Sequence, residues 1–167
     1  MPMLIKWRGA AAEAADDPFT AVADDESMAP GDVLISFTRF LLEGEGLLRE
    51  VRNLGVRLAP GDDLAALGPS LGRLALIALE FPKFRDGRAY SAAMLLRERL
   101  GWRGELRAVG DVLVEQALVM VRCGFDAFEP ADGSSPEAWT RAAEHYAYVY
   151  QRATDSREPA FVLRGEA

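Results

Sequence analysis

The stretch Arg73–Phe81, RLALIALEF, decides how this chain is read. Apart from Arg73 at its start and Glu80 near its end it is continuously apolar, over a length that suits a strand better than a helix. A run of this kind fits a strand covered on both faces, as happens in parallel sheets whose crossover connections are helices. Four further segments have strand character on either side of it: DVLISF (32–37), GVRLA (55–59), ELRAVG (105–110) and DAFEP (126–130). Between them lie stretches of helical period, over about 39–53, 62–70, 87–100 and 112–123, with a last one over 136–152. Alternation of this sort is the signature of repeated βα units. The expectation is one α/β domain with about five largely parallel strands, either open and doubly wound or curled like half a barrel.

The helical segments carry their own signals. Ala89, Ala92, Ala93, Leu96 and Leu100 recur at helical spacing and define one buried face, and Gly101 suits a left-handed C-terminal cap. Around Val112–Val121 the pattern is apolar nearly all round, which calls for cover on a second face, from the N-terminal arm or from another subunit in a homodimer. Ser135 and Pro136 form an N-cap and first-turn pair for the last helix. Trp139, Tyr146 and Tyr150 fall at helical spacing along it and read as core. Residues 1–30 are rich in Ala, acids and Pro without a sustained period, and read as an arm with one short hairpin. The domain proper spans 31–152, and 153–167 form a tail whose AFVL cluster can dock on this domain or on a partner.

The 167 residues are half hydrophobic, enough for one sizeable core and too few for two ordinary domains. A net charge of -7 opposes general attraction to nucleic acid, which needs a clustered basic face. The single cysteine, Cys123, cannot close an intrachain disulfide, and with the single histidine, His145, it cannot form the usual Cys/His zinc site. No apolar run approaches the roughly 20 residues that span a bilayer. A reducing, cytoplasmic setting is expected, with no metal, no membrane partner and no evident cofactor.

Chemistry concentrates at the exit of the central strand. In parallel βα sheets ligands sit beyond the carboxyl ends of the strands. Glu80, Lys83, Arg85, Asp86, Gly87, Arg88, Tyr90 and Ser91 occupy that position, and Asp111 lies at the matching exit of the next strand. Lys83, Arg85 and Arg88 would surround the N-terminus of the following helix, where free N–H groups favour an anion. Asp86 can cap that helix, and Gly87 permits close backbone approach. Two readings stand side by side: an anion- or partner-binding point, or a structural network in which Lys83 and Arg85 pair with Glu80, Asp86 and Asp111 to hold two loops together. Elsewhere Cys123 reads as a packed thiol at a helix end and His145 as a surface residue. The lone G-x-G of Gly44–Gly46 lacks the rest of a dinucleotide fingerprint.

The run FPKFRDGRAYS (81–91), with GELRAVGDVL (104–113) and RCGFDAF (122–128), closely resembles the signature block of a family of uncharacterised bacterial proteins described as oxidoreductases involved in sulfite reduction. GDVLI (31–35) and NLGVRLAP (53–60) extend the likeness over most of the chain from Gly31. The resemblance implies a role in assimilatory sulfur metabolism, with a gene usually beside one for a sirohaem sulfite or nitrite reductase, and it supplies no established catalytic residues. The leading expectation is an accessory protein that docks on that reductase and serves electron delivery or assembly. The alternative is an oxidoreductase or other enzyme that binds sulfite, sulfate or a phosphorylated metabolite at the Lys83/Arg85/Arg88 pocket.

Overall fold

A computed structural model of the chain describes residues 3–165. One eight-stranded sheet organises it, in the order β2-β1-β8-β7-β6-β5-β4-β3. The strands are β1 (Leu4–Trp7), β2 (Ala12–Ala15), β3 (Phe19–Ala21), β4 (Asp32–Ser36), β5 (Asn53–Leu58), β6 (Leu76–Phe81), β7 (Glu105–Gly110) and β8 (Ala127–Phe128). From β3 to β8 each strand lies parallel beside its successor in the sequence, whereas β1 runs antiparallel to both β8 and β2. The five segments expected from sequence are β4 to β8. The first thirty residues add the hairpin β1–β2 at one edge and β3 at the other.

Stepwise order and right-handed crossovers put every connection on the same side of the sheet. That side is lined by α1 (Phe37–Glu50), a 3₁₀ segment (Leu64–Arg73), α2 (Arg88–Met94) and α3 (Ala117–Arg122). Ile5, Val33, Ile35, Leu54, Val56, Leu58, Ile77, Leu79, Phe81, Leu106 and Phe128 alternate toward it and form the core. Each such side chain stabilises the fold by about 1.5–3 kcal/mol when fully buried. The short β2–β3 connection bends the other face into a concave surface. A flat eight-stranded sheet would hold its edges about 34 Å apart at ~4.8 Å per strand. Yet the edge strands β2 and β3 are joined by Asp16, Asp17 and Pro18 alone, which reach at most about 14 Å. The sheet therefore curls into a half-barrel, and this three-residue strap crosses its open side.

Local sequence accounts for the helix boundaries. Ser36 caps α1, its Oγ accepting the Arg39 N–H at 3.0 Å. Within α1, Gly44 leaves room for the Phe40 ring, from which an added Cβ would stand 2.5 Å away. The expected helix over 87–100 is α2 followed by a single π turn, Leu95–Arg99, that closes with Leu100 N–H donating to Leu95 O at 3.0 Å. The extra residue in that turn rotates the helix face. Ala89, Ala93 and Leu96 are buried as expected, but Leu100 is exposed. Gly101 ends the element at φ +64.

Two further expectations are corrected. The apolar segment near Val112–Val121 is a 3₁₀ turn, Val114–Gln116, running into α3, and α4 (Pro136–Ala143) of the same chain packs across both. Part of its second cover thus comes from α4, while Val119 stays exposed. α4 itself ends at Ala143 rather than near residue 152. Arg157 reaches back from the tail, its guanidinium donating to the Ala143 carbonyl at 2.9 Å, which satisfies the helix end as basic groups do at C-termini. Past that stop the helical spacing no longer governs. Trp139 is core and stacks on Phe128, while Tyr146 and Tyr150 are exposed. The tail pairs Val149 with Pro159 and ends in α5 (Ala160–Leu163), on which Phe161 is exposed.

Candidate functional site

The concave face opens at the carboxyl ends of the parallel strands, and the loop Pro82–Gly87 that follows β6 forms part of its rim. Within this loop the expected residues divide. Arg88 turns back on Asp86, its Nε and Nη2 donating to the two carboxylate oxygens at 2.9 and 2.5 Å. Its fork is thus filled by its own neighbour. Asp86 also accepts the Arg88 backbone N–H at 3.2 Å, and the Arg88 side chain and N–H together hold its carboxyl down at about 2. Asp111 accepts the Phe84 N–H at 2.7 Å, tying the β7 exit to the β6 exit through the backbone. Glu80 faces the concave side and pairs with Arg57 at 3.1 Å.

The acids once set against Lys83 and Arg85 are therefore engaged elsewhere. Neither cation has an ion-pair or hydrogen-bond partner among the described residues, and both are exposed, as is Phe84 between them. The loop is nonetheless held in place by the Phe84 bond to Asp111 and by Asp86 N–H donating to Lys83 O at 2.9 Å. Gly87 and Ser91 are exposed beside it. Tyr90 points inward instead. Its ring packs edge-on against Phe81, its hydroxyl bonds Gln116 Nε2 at 3.1 Å, and burial pushes its phenol up. The neighbouring cleft, of about 60 Å³, is lined by Glu80 and Arg88 together with Pro60 and Leu64, and neither Lys83 nor Arg85 contributes to it.

Deeper in the half-barrel lies a cluster that the sequence reading missed. Arg107, on β7, is 0% exposed and bonds three carboxylates: Asp17 of the strap at 2.6 Å, Glu105 at 2.8 Å and Glu129 at 3.0 Å. Lys6 pairs with Glu105 at 2.9 Å. Burial opposes charge on Arg107, but the Asp17 and Glu105 bonds win and raise its pKa further. Burial likewise pushes Asp17 up, and is outweighed by Arg107 and the Phe19 N–H, so its pKa falls. Over this floor sits a cleft of about 170 Å³ walled by Leu4, Phe19, Leu34 and Val109, with Arg57 at its lip. One signal was available in the sequence. Glu105 and Arg107 alternate with Leu106 and Ala108, so one face of this strand carries opposite charges rather than core.

The arrangement presents charged groups, and among the described residues no nucleophile–base pair is assembled beside them. Cys123 is buried and burial raises its thiol pKa, which matches a packed thiol. His145 is exposed on the turn after α4. Among the described residues no group of three His, Cys, Asp or Glu side chains is placed to hold a metal, and no helix is long and apolar enough to cross a membrane.

Fold and mouth together define a class: a one-sided βα half-barrel whose carboxyl-end rim presents an anchored cationic loop above a charge-paired floor. The chain belongs to a family of bacterial proteins of unknown function, DUF934, whose model matches residues 55–161 and so runs from within β5 to within α5, across the rim loop and Arg107. No match was found among curated proteins.

Proposed function

We propose that this protein is an accessory factor of assimilatory sulfite reduction that docks, through its rim loop, on an acidic surface of a sirohaem sulfite reductase. The observation that carries the docking part is that Lys83 and Arg85 have no partner among the described residues, while the acids around them, Glu80, Asp86 and Asp111, are spent on Arg57, Arg88 and the Phe84 N–H. In a chain of net charge -7 an exposed, backbone-anchored pair of cations flanking an exposed aromatic ring suits contact with an anionic partner. The sulfur-metabolic part rests on the likeness of Leu74–Pro130 to the family associated with sulfite reduction. Docking is favoured over a small-anion pocket because Arg88 is withdrawn by Asp86, and because Lys83 and Arg85 project from the rim without lining the adjacent cleft.

The test is growth of a deletion strain on sulfate as sole sulfur source, complemented with wild type or with Lys83→Glu/Arg85→Glu. It is joined to a binding measurement against purified sirohaem sulfite reductase at low and high salt. A sulfur-assimilation defect rescued only by wild type, with binding that weakens in salt and in the double variant, supports the reading. Normal growth of the deletion strain with no complex overturns it. Saturable binding of sulfite or sulfate that is lost in the double variant, without any reductase complex, would instead favour the anion-binding enzyme.

A further inference from the structure

A second surface lies away from the rim, on the outer side of α1. There α1 and the 3₁₀ segment Leu64–Arg73 flank an open groove of about 670 Å³. Two adjacent leucines stand in it unburied, Leu41 at 54% and Leu42 at 80% exposure. Leu42, Gly46 and Glu50 follow one another at i, i+4 and i+8 and share a stripe of the helix. Gly46 has no internal explanation. Gly44 makes room for Phe40, but a Cβ on Gly46 would meet nothing within 4 Å, although glycine inside a helix costs stability relative to alanine. A bare notch beside an exposed leucine is what close approach by an external backbone requires.

The charge of the groove selects its occupant. Glu43, Glu45 and Glu50 line it, and no lysine or arginine does. Glu43 pairs with Arg39, while Glu45 is held by Ser70 and Arg73 from one wall. Glu50 alone of the three has no ion-pair partner among the described residues, and at the negative end of the α1 dipole it favours a cation, which a second copy of this groove does not bring. We infer that the groove between α1 and the Leu64–Arg73 segment is a docking site for a basic amphipathic helix of a partner protein, whose apolar stripe packs on Leu41 and Leu42 across the Gly46 notch and whose lysines or arginines meet Glu50 at the C-terminal end of α1.

The probe is a fluorescein-labelled 18-residue helical peptide with leucines on one face and lysines on the other, titrated against the full chain and followed by anisotropy. Three variants are compared with wild type: Leu42→Asp, Glu50→Lys and Gly46→Ala. Leu42→Asp is the deciding variant, because it adds negative charge. Attraction of a cationic peptide by charge alone would strengthen in it, whereas groove docking weakens by about tenfold or more. Glu50→Lys weakens binding and flattens its salt dependence. Gly46→Ala fills the notch, so affinity falls several-fold while Tm rises by about 2–4 °C, as relief of a mid-helix glycine implies in a chain of this size. Unchanged or tighter binding in Leu42→Asp overturns the inference. So does a dimer in sedimentation velocity that Leu42→Asp dissolves, since the groove would then be a contact between copies.

Discussion

Replacing Arg107 by methionine tests whether the charge cluster beneath the strap holds the half-barrel together. Arg107 is fully buried, and Asp17, Glu105 and Glu129 lie at 2.6, 2.8 and 3.0 Å from its guanidinium. Methionine keeps most of the apolar volume, so the loss is that of the charge. Three carboxylates are then left with only Lys6, at 2.9 Å from Glu105, to balance them. Removing one partner from a buried ion pair costs about 3–5 kcal/mol. The carboxylates retain some access to water, with side-chain exposures of 21, 17 and 22%, which places the expectation near the lower end, at about 3 kcal/mol. For a chain of this length that is a Tm loss of about 6–12 °C at pH 7, read by calorimetry or circular dichroism.

The pH dependence sharpens the test. In the wild type Asp17 has a folded pKa below its unfolded value, so its contribution is present at neutral pH and is lost as pH falls through the folded pKa. In the variant the sign reverses. With the Arg107 bonds gone, burial pushes the Asp17 carboxyl up, so the penalty is full at pH 7 and fades as that carboxyl takes up its proton on the way to about pH 4.5. The gap in Tm between wild type and Arg107→Met should therefore narrow over that range. A gap below about 2 °C at pH 7, or an equal gap at both pH values, would refute the assignment of Arg107 as the charge that closes the barrel.

Gly110→Ala should destabilise by about 3 kcal/mol in a denaturant melt, because Gly110 has φ +97 and an added Cβ would sit 2.4 Å from Phe81 O. Asp111→Ala removes the charged acceptor of the Phe84 N–H and should cost about 1.5 kcal/mol, with faster amide exchange confined to the rim loop; uniform protection across that loop would argue against the tether. The Asp86 carboxyl should titrate by NMR near pH 2 and move up toward an ordinary carboxylate value in Arg88→Met, whereas an unchanged midpoint would mean that the pair does not persist in solution.

The local signals in this sequence were sufficient for the class of fold. The unbroken apolarity of Leu74–Leu79 requires a strand buried on both faces, and the alternation of such runs with helical periods leaves few arrangements other than stacked βα units. Caps behaved likewise, since Ser135 and Gly101 act through bonds or backbone angles within a few residues of themselves. The rim loop was also legible as a place, because strand exits are where βα folds expose unsatisfied groups.

Other features depended on distances that no local pattern encodes. Arg107 finds Asp17 ninety positions away only because the strap draws the two sheet edges together. Tyr146 and Tyr150 kept a helical spacing in the sequence, but Arg157 returned from the tail to satisfy the Ala143 carbonyl where the helix stops. In each case the deciding partner lies elsewhere in the chain, and pairing it with a buried charge or an open helix end outweighs the local periodicity.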